Sequence, residues 1–392
     1  MSGHPLRGRV AIVGVADTPV GRVPDRTPLQ LSAEAGLSAL ADAGLGRRDV
    51  DGLVTCNSMA QPFMYPGEVL AEYLQIFPRY CVGLGAGGAA AFTAIAQAAL
   101  AIVGGVCETV LVTMADSLRT GLSRERALAM QASAGHPQFE TPYGPTAPAL
   151  YALLARAYMH RYGTTREQFA AVAVSGRAHA ARHPHAEKRT PVTVDDVLAS
   201  RPIAEPLHLL DCSLVSDGGA ALVLTSAARA RDLPRPPVYL LGFGEAHGHE
   251  HVTQALSLTE SAAAESGRRA YTMAGVGPAD IDFTGLYDSF TPVVLVQLED
   301  LGFCERGEAG AFVASGAIGP DGALPVNPHG GLLSHSHPGN PGSLFHLTEA
   351  VVQLRREAGA RQVADAELAL VHAQGGTQSS HCTLLLGGAA TV

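Results

Sequence analysis

Three histidines at alternate positions, His247, His249 and His251, form an H-x-H-x-H run. On a strand, alternate side chains share a face, so two or three of these imidazoles could hold Zn²⁺. The run follows Gly242-Phe243-Gly244 in an expected loop, and no Asp, Glu or Cys pattern supports it. Solvated loop histidines are the expected reading, with no metal. The six cysteines (56, 81, 107, 212, 304, 382) are scattered without a C-x-x-C pair, which suits reduced intracellular thiols. Val10–Gly21 (VAIVGVADTPVG) hints at a dinucleotide-binding turn but lacks G-x-G-x-x-G after the strand, and Gly242–Gly244 is equally insufficient.

Composition narrows the function classes. The chain has 392 residues, 47% hydrophobic and 16% charged, with no Trp. That is a packed globular composition with length for two or three domains. A formal charge of −9 with no basic stripe argues against nucleic-acid binding. A local Arg cluster could still hold one anionic cofactor. Met1–Arg9 lacks the apolar region of a signal peptide. The longest apolar run, Ala89–Val103, is Ala-rich, holds Thr93 and Gln97, and is followed by Gly104-Gly105. It reads as a helix buried in the protein rather than a membrane span, which needs about twenty strongly apolar residues. A cytoplasmic location is expected.

The elements that must position any site repeat themselves. Residues 43–51 (AGLGRRDVD) and 274–282 (AGVGPADID) each follow an Ala-rich helical segment, Leu31–Ala41 and Ser261–Met273. Each precedes an apolar strand, Gly52–Cys56 and Phe283–Tyr287, and earlier strands Val10–Val15 and Val238–Phe243 begin each set. A Gly-rich loop then opens a helix in both: Gly83–Gly88 before Ala89–Val103, and Gly330–Gly342 before Leu344–Arg356. Strands Thr109–Met114 and Glu367–His372 follow, and the halves close on Ala220–Leu224 and Thr383–Leu386. Alternating strands and helices in two copies predict a duplicated α/β fold.

An insertion at about 116–205 interrupts the first copy. It holds the amphipathic helix Ala149–Tyr162, a helix starting near Thr164 or Thr165 with a Thr165–Gln168 capping box, and a polar stretch, Arg177–Arg189. An insertion of this size is where a lid or ligand-binding subdomain would sit.

Four blocks resemble the sterol-carrier-protein-type thiolases of the thiolase superfamily, especially the bacterial lipid-transfer-protein (thiolase-like) branch. They are Tyr151–Thr164 (YALLARAYMHRYGT), Leu209–Leu224 (LLDCSLVSDGGAALVL), Tyr287–Gly302 (YDSFTPVVLVQLEDLG) and Asn327–Gly342 (NPHGGLLSHSHPGNPG). The resemblance implies two βαβαβαββ halves in five layers, α-β-α-β-α, with a homodimer as the basic unit. It places the N-terminal half at 1–115 and 206–232, the loop domain at 116–205 and the C-terminal half at 233–392.

The resemblance also assigns residues. Where that family carries its nucleophilic Cys, in a pattern like Cys-Ala-Thr-Gly-Ser, this chain reads Gly85-Ala86-Gly87-Gly88-Ala89. Gly85 holds the nucleophile position, and Cys81 lies upstream in the approaching strand. The family's His-Asp-Cys-Phe motif becomes Tyr287-Asp288-Ser289-Phe290. The phenol of Tyr287 could donate to a thioester oxygen or act as acid or base. Gly-His-Pro becomes Ser336-His337-Pro338, so His337 matches the catalytic histidine, with His335 in support. Cys-x-Gly-Gly becomes His372 followed by Gly375 and Gly376, placing an imidazole where a thiolase has its acid/base cysteine. Cys382 lies too far along the chain for that role.

Without a thiolate the covalent acyl-enzyme route is closed. What remains suits aldol-type chemistry on a CoA thioester with no covalently bound cofactor. The similar steroid side-chain retro-aldolases imply the same, together with a small OB-fold/zinc-ribbon (DUF35-type) partner. Tyr287 or His337 would remove the β-hydroxyl proton, while His372 and backbone N–H groups stabilise the enolate. The alternatives are a non-catalytic acyl-CoA or lipid-binding subunit, and an acyltransferase with Cys81 moved into the site.

Overall fold

The computed structural model describes residues 4–133 and 135–392. Its strands are β1 (Val10–Asp17), β2 (Gly52–Cys56), β3 (Tyr80–Leu84), β4 (Thr109–Ser117), β5 (Pro202–Ala204), β6 (Leu207–His208), β7 (Asp217–Ser226), β8 (Val238–His247), β9 (Phe283–Leu286), β10 (Leu368–Gly375) and β11 (Ser380–Gly387). The helices that position the site are α1 (Pro28–Asp42), α2 (Pro66–Leu74), α3 (Ala90–Val103), α4 (Ala147–Tyr162), α5 (Arg166–Ala181), α6 (Ala263–Ala274), α7 (Thr291–Asp300) and α8 (Leu344–Leu354).

The sheet order makes the duplication explicit. Nine strands run β3-β2-β4-β7-β1-β8-β11-β10-β9, so both halves read outward from the centre as first, last, next-to-last, second strand. β3 completes the N-terminal half, and Val326 adds a parallel bridge to Thr284 at the matching place in the other. Two antiparallel pairs, Ala11–Tyr239 and Ile12–Val238, join the halves.

Side-chain alternation builds the layers. On β1, Val10 and Ile12 join one core while Ala11 and Val13 join another, and on β10 Ala369 and Val371 oppose Leu368 and Leu370. A strand buried on both faces must be covered by helices on both sides. α3 and α8 fill the inner core and each touches strands of both halves, whereas α1 and α6 cover outer faces. The arrangement is the five-layer α-β-α-β-α stack expected above.

Local chemistry sets the helix starts. Thr27 caps α1 and Thr165 caps α5, each in a full capping box with Gln30 and Gln168. Two differences from the sequence reading matter. The ladder with β11 pairs His247 with Ser380, so β8 carries His247 on its last residue instead of leaving it in a loop. The stretch Arg177–Arg189 begins inside α5, where Arg177 donates to Ser334 and His179 to the Ile318 carbonyl, both buried. The inserted segment thus packs on the C-terminal half. Among the described residues, no helix is long and apolar enough to cross a membrane.

Candidate active site

Two chain ends of β-strands and two helix starts converge. Gly85 to Gly88 leave β3 and open α3 through a short 3₁₀ turn at Gly87–Ala89. Tyr287 follows β9, and its backbone N–H donates to the His372 carbonyl of the parallel neighbour β10. His337 lies in the loop before α8. Ser343 Oγ donates to the Gly88 carbonyl at 2.6 Å, tying the start of α8 to the start of α3. Carboxyl ends of parallel strands and N-termini of helices are where α/β proteins bind anionic groups.

Tyr287 and His337 meet there. The Tyr287 hydroxyl lies 3.1 Å from His337 Nε2. His337 Nδ1 lies 3.2 Å from the Leu214 carbonyl and 3.1 Å from Ser213 Oγ. A carbonyl only accepts, so Nδ1 carries the proton and Nε2 accepts from the phenol. Burial lowers His337 to about 4, opposed by the Leu214 bond, which leaves a neutral ring at neutral pH. Burial, then Tyr151 and Asp288, push the Tyr287 phenol well above its usual range. The pair is a neutral donor–acceptor couple.

Glycine makes room for it. A Cβ on Gly88 would stand 2.4 Å from both Cζ and Oη of Tyr287. The phenol therefore rests on the backbone of the turn that opens α3. Gly375 comes closer still to the Ala86 carbonyl, where a Cβ would lie 1.9 Å away, and a Cβ on Gly87 would meet Gly375 and the Gly376 N–H. Gly85 is exposed, and a Cβ there would meet nothing within 4 Å.

The remaining expected residues fall elsewhere. Asp288 is buried and accepts from the Leu332 and Leu333 N–H groups at 2.7 and 3.2 Å, fixing the loop that carries His337. Burial raises its carboxyl to about 7 against those bonds. His372 points to the outer face of the sheet: Thr383 is 2.8 Å from Nδ1 and His381 is 3.2 Å from Nε2. His381 must donate to the Gln378 carbonyl, so His372 Nε2 donates and Nδ1 accepts. Both nitrogens are committed, and the imidazole does not join the Tyr287–His337 pair. His335 is buried against His183, His329 and Phe345 instead of facing His337.

No thiol replaces the missing nucleophile. The Cys81 side chain packs against α2, where a Cβ on Gly67 would stand 2.8 Å from its sulfur. Burial raises its pKa. Cys212 donates to the His208 carbonyl and burial lifts its thiol to about 12. His247, His249 and His251 turn to separate partners, Ser380, the Thr377 carbonyl and Glu140.

A cavity of about 370 Å³ reaches His337. Its wall is mostly apolar, and much of it comes from the inserted segment, including Leu118, Leu122 and Leu150. Tyr151 of α4 also lines it, donates to the Gly376 carbonyl at 2.8 Å, accepts from Gln374 at 3.0 Å and stacks on Phe290. Tyr151, Ser213, Leu214 and Gly88 were missed as site residues in the sequence. Tyr151, Ser213 and Leu214 lie in the quoted blocks, but contacts spanning more than a hundred residues leave no local pattern.

Known proteins resemble this chain along almost its whole length. The thiolase N-terminal domain family matches residues 10–228 and the thiolase C-terminal domain-like family matches 244–388. A steroid side-chain-cleaving aldolase of Thermomonospora curvata is 39% identical over 97% of this chain and 98% of its own. A 17-hydroxy-3-oxo-4-pregnene-20-carboxyl-CoA lyase of Mycobacterium tuberculosis is 39% identical over 97% and 100%. An acetyl-CoA acetyltransferase of Methanothermobacter thermautotrophicus is 35% identical over 94% and 96%. The solved Ltp2-ChsH2(DUF35) aldolase superposes with a TM-score of 0.86 at 39% identity over 98% of both chains. With both halves matched by family and by fold, this chain belongs to the thiolase superfamily.

Proposed function

We propose that the protein is a carbon–carbon lyase that cleaves a β-hydroxyacyl-CoA by a retro-aldol step, with no covalent acyl-enzyme. The observation that carries it is the Tyr287–His337 pair at a turn whose nucleophile position, Gly85, has only backbone. A covalent route needs a thiolate, whereas retro-aldol cleavage needs a proton acceptor at the β-oxygen and a stabilised enolate. The 39% identity to a steroid side-chain-cleaving aldolase and to a pregnene-carboxyl-CoA lyase supports the same reaction class.

In this reading the substrate hydroxyl gives its proton to Tyr287 Oη as the phenol proton passes to His337 Nε2. The Cα–Cβ bond breaks, its electron pair moves into the thioester enolate, and the β-carbon leaves as a carbonyl. A proton then returns to Cα. The N-termini of α3 and α8 favour the enolate charge. The apolar cavity takes the acyl part of the substrate. His372 acts from behind, ordering β10 and β11 beneath Gly375 and Gly376, and Asp288 and His335 hold the His337 loop.

The assembly belongs to the same proposal. β3 is a sheet edge with an unpaired side, and nearby Phe77 is 93% exposed and Met64 85%, which supports a homodimer through that edge. Likeness to the Ltp2-ChsH2(DUF35) aldolase supports a DUF35-type partner. Six free cysteines suit a reducing cytoplasm.

The test is incubation with β-hydroxyacyl-CoA and β-ketoacyl-CoA esters, with and without free CoA and the partner. Cleavage of the hydroxy ester without CoA is expected. Cleavage of the keto ester alone, and only with CoA, would overturn the lyase.

A further inference from the structure

Beside the Tyr287–His337 pair lies a second set of histidines that the reaction scheme leaves unused. His346 on α8, His329 and His335 in the loop before it, and His183 after α5 are 1%, 2%, 2% and 6% exposed. Their rings follow one another in a line. Centre to centre, Tyr287 is 6.4 Å from His346, His346 is 5.0 Å from His329, His329 is 5.2 Å from His335, and His335 is 4.8 Å from His183. His185, 6.1 Å further on, is exposed.

These rings are badly explained as packing. Both nitrogens of His346 and of His329, and Nδ1 of His335, are buried without a protein hydrogen-bond partner. Buried polar atoms in that state cost free energy that apolar side chains of like shape would not. Among the described residues no group of three or more His, Cys, Asp or Glu has a metal-holding arrangement. The charged groups that face the line are Asp288, 3.8 Å from His346 Nε2, Arg361, which acts on His183, His329 and His335, and Arg189, which acts on His183. Desolvation, reinforced by neighbouring rings, keeps these imidazoles neutral at neutral pH.

We infer that His346, His329 and His335 form a proton relay between the Tyr287–His337 pair and solvent, opening beside His183 and His185, with single waters bridging the rings. A neutral imidazole accepts a proton at one nitrogen and releases another from its second, so each hop leaves the ring uncharged overall and needs no redox partner. A polar buried site of this kind holds water readily. His183 Nδ1 accepts the His185 N–H at 3.1 Å, so a proton passing through His183 must displace that bond. In turnover one proton leaves the substrate hydroxyl and one enters at Cα, and the relay resets the pair between the two.

The proposal rests on reading Tyr287 and His337 as the proton-transfer pair, but its test does not require turnover. In ¹⁵N-histidine-labelled protein transferred to D₂O, the His346 ring N–H should exchange at least tenfold faster than that of His179. His179 is an equally buried control whose Nε2 donates to the Ile318 carbonyl. His335→Phe, or His183→Phe nearer the surface if the first does not fold, should bring His346 to the His179 rate. Exchange no faster than His179 in the wild type, or unchanged in the folded variant, overturns the relay. If wild-type exchange is fast and relay-dependent but no hydroxy ester is cleaved, the relay stands and the lyase reading fails. Where cleavage is measurable, the same variants should lose kcat with KM unchanged and recover it in added imidazole. A loss that imidazole does not restore also overturns the relay.

Discussion

The Tyr287 hydroxyl donates to His337 Nε2 across 3.1 Å while the opposite nitrogen of that ring is held by the Leu214 carbonyl. The order carbonyl, imidazole, hydroxyl repeats the logic by which a nucleophilic serine is activated, with a phenol in the serine's place. A phenol is a poor nucleophile for acyl transfer but a good carrier of one proton. The imidazole fixes which way that proton can move.

Tyr287→Phe keeps the ring and removes the proton. We expect kcat to fall by about 10²–10⁴-fold with little change in KM, the range for loss of a positioned acid–base group. The unpaired His337 Nε2 should cost about 1 kcal/mol of stability. Steady-state kinetics with a β-hydroxyacyl-CoA and urea denaturation check the two effects separately. A variant with unchanged kcat would remove Tyr287 from the reaction.

Stability should fall as pH drops below the ordinary histidine range. Burial holds His337 near 4 in the folded chain, and lowers His179, His183, His335, His346 and His381 as well. Between the folded and unfolded values the unfolded chain binds more protons, so acid favours unfolding. The contribution is complete above pH ~6.5 and is lost toward the folded values at up to about 1.4 kcal/mol per pH unit for each ring. Asp17, Asp288 and Asp300, raised by burial to about 7, about 7 and about 6, act in the opposite sense, as do Asp116, Asp211 and Glu349, but these carboxyls are fewer than the lowered rings, which also include His329 and His372. Urea midpoints at pH 7.5 and 5.5 should differ in favour of pH 7.5, and His337→Gln should reduce that difference.

Gly88→Ala tests the seat of the phenol. The added methyl would stand 2.4 Å from Tyr287 Oη, so the ring must move away from the turn. Overpacking of this kind costs about 1–3 kcal/mol, and displacement of the hydroxyl from His337 should lower kcat by about 10²-fold. Thermal melting and kinetics measure both. Full activity would mean that the phenol need not rest on the start of α3.

Much of this was legible in the chain itself, for physical reasons. The Ala-Gly turns at 43–51 and 274–282 mark equivalent corners because strand, helix and C-cap chemistry is local, and β2 falls where the apolar run put it, at Gly52–Cys56. Thr165 and Gln168 capped a helix as their spacing required. Tyr287, His337 and Gly85 were singled out through motif likeness, and the first two lie 3.1 Å apart. His372 was expected beside them on the same grounds, but strand alternation turns its ring to the opposite face of β10 from Val371, toward Thr383. The Ser213, Leu214 and Tyr151 partners come from distant segments, and nothing in a local pattern encodes which strand end faces which loop. The buried histidine line was hidden for the same reason: His183 belongs to a stretch whose polarity reads as surface.

Gly85→Cys returns sulfur to the vacant position. A Cβ there meets no atom within 4 Å, and Gly85 has no positive φ, so the change should alter stability by less than about 0.5 kcal/mol. The new thiol sits at the turn opening α3, where helix-terminal N–H groups favour a thiolate. We expect it to react with iodoacetamide faster than the six native cysteines, all partly or fully buried. With an acyl-CoA it should gain the mass of the acyl group on that residue, read by peptide mass spectrometry, while retro-aldol cleavage persists through Tyr287 and His337. A thiol that alkylates readily yet is never acylated would mean that the thioester carbonyl is bound away from residue 85. The enolate would then form at a different end of the site from the one where a thiolase carries its acyl group.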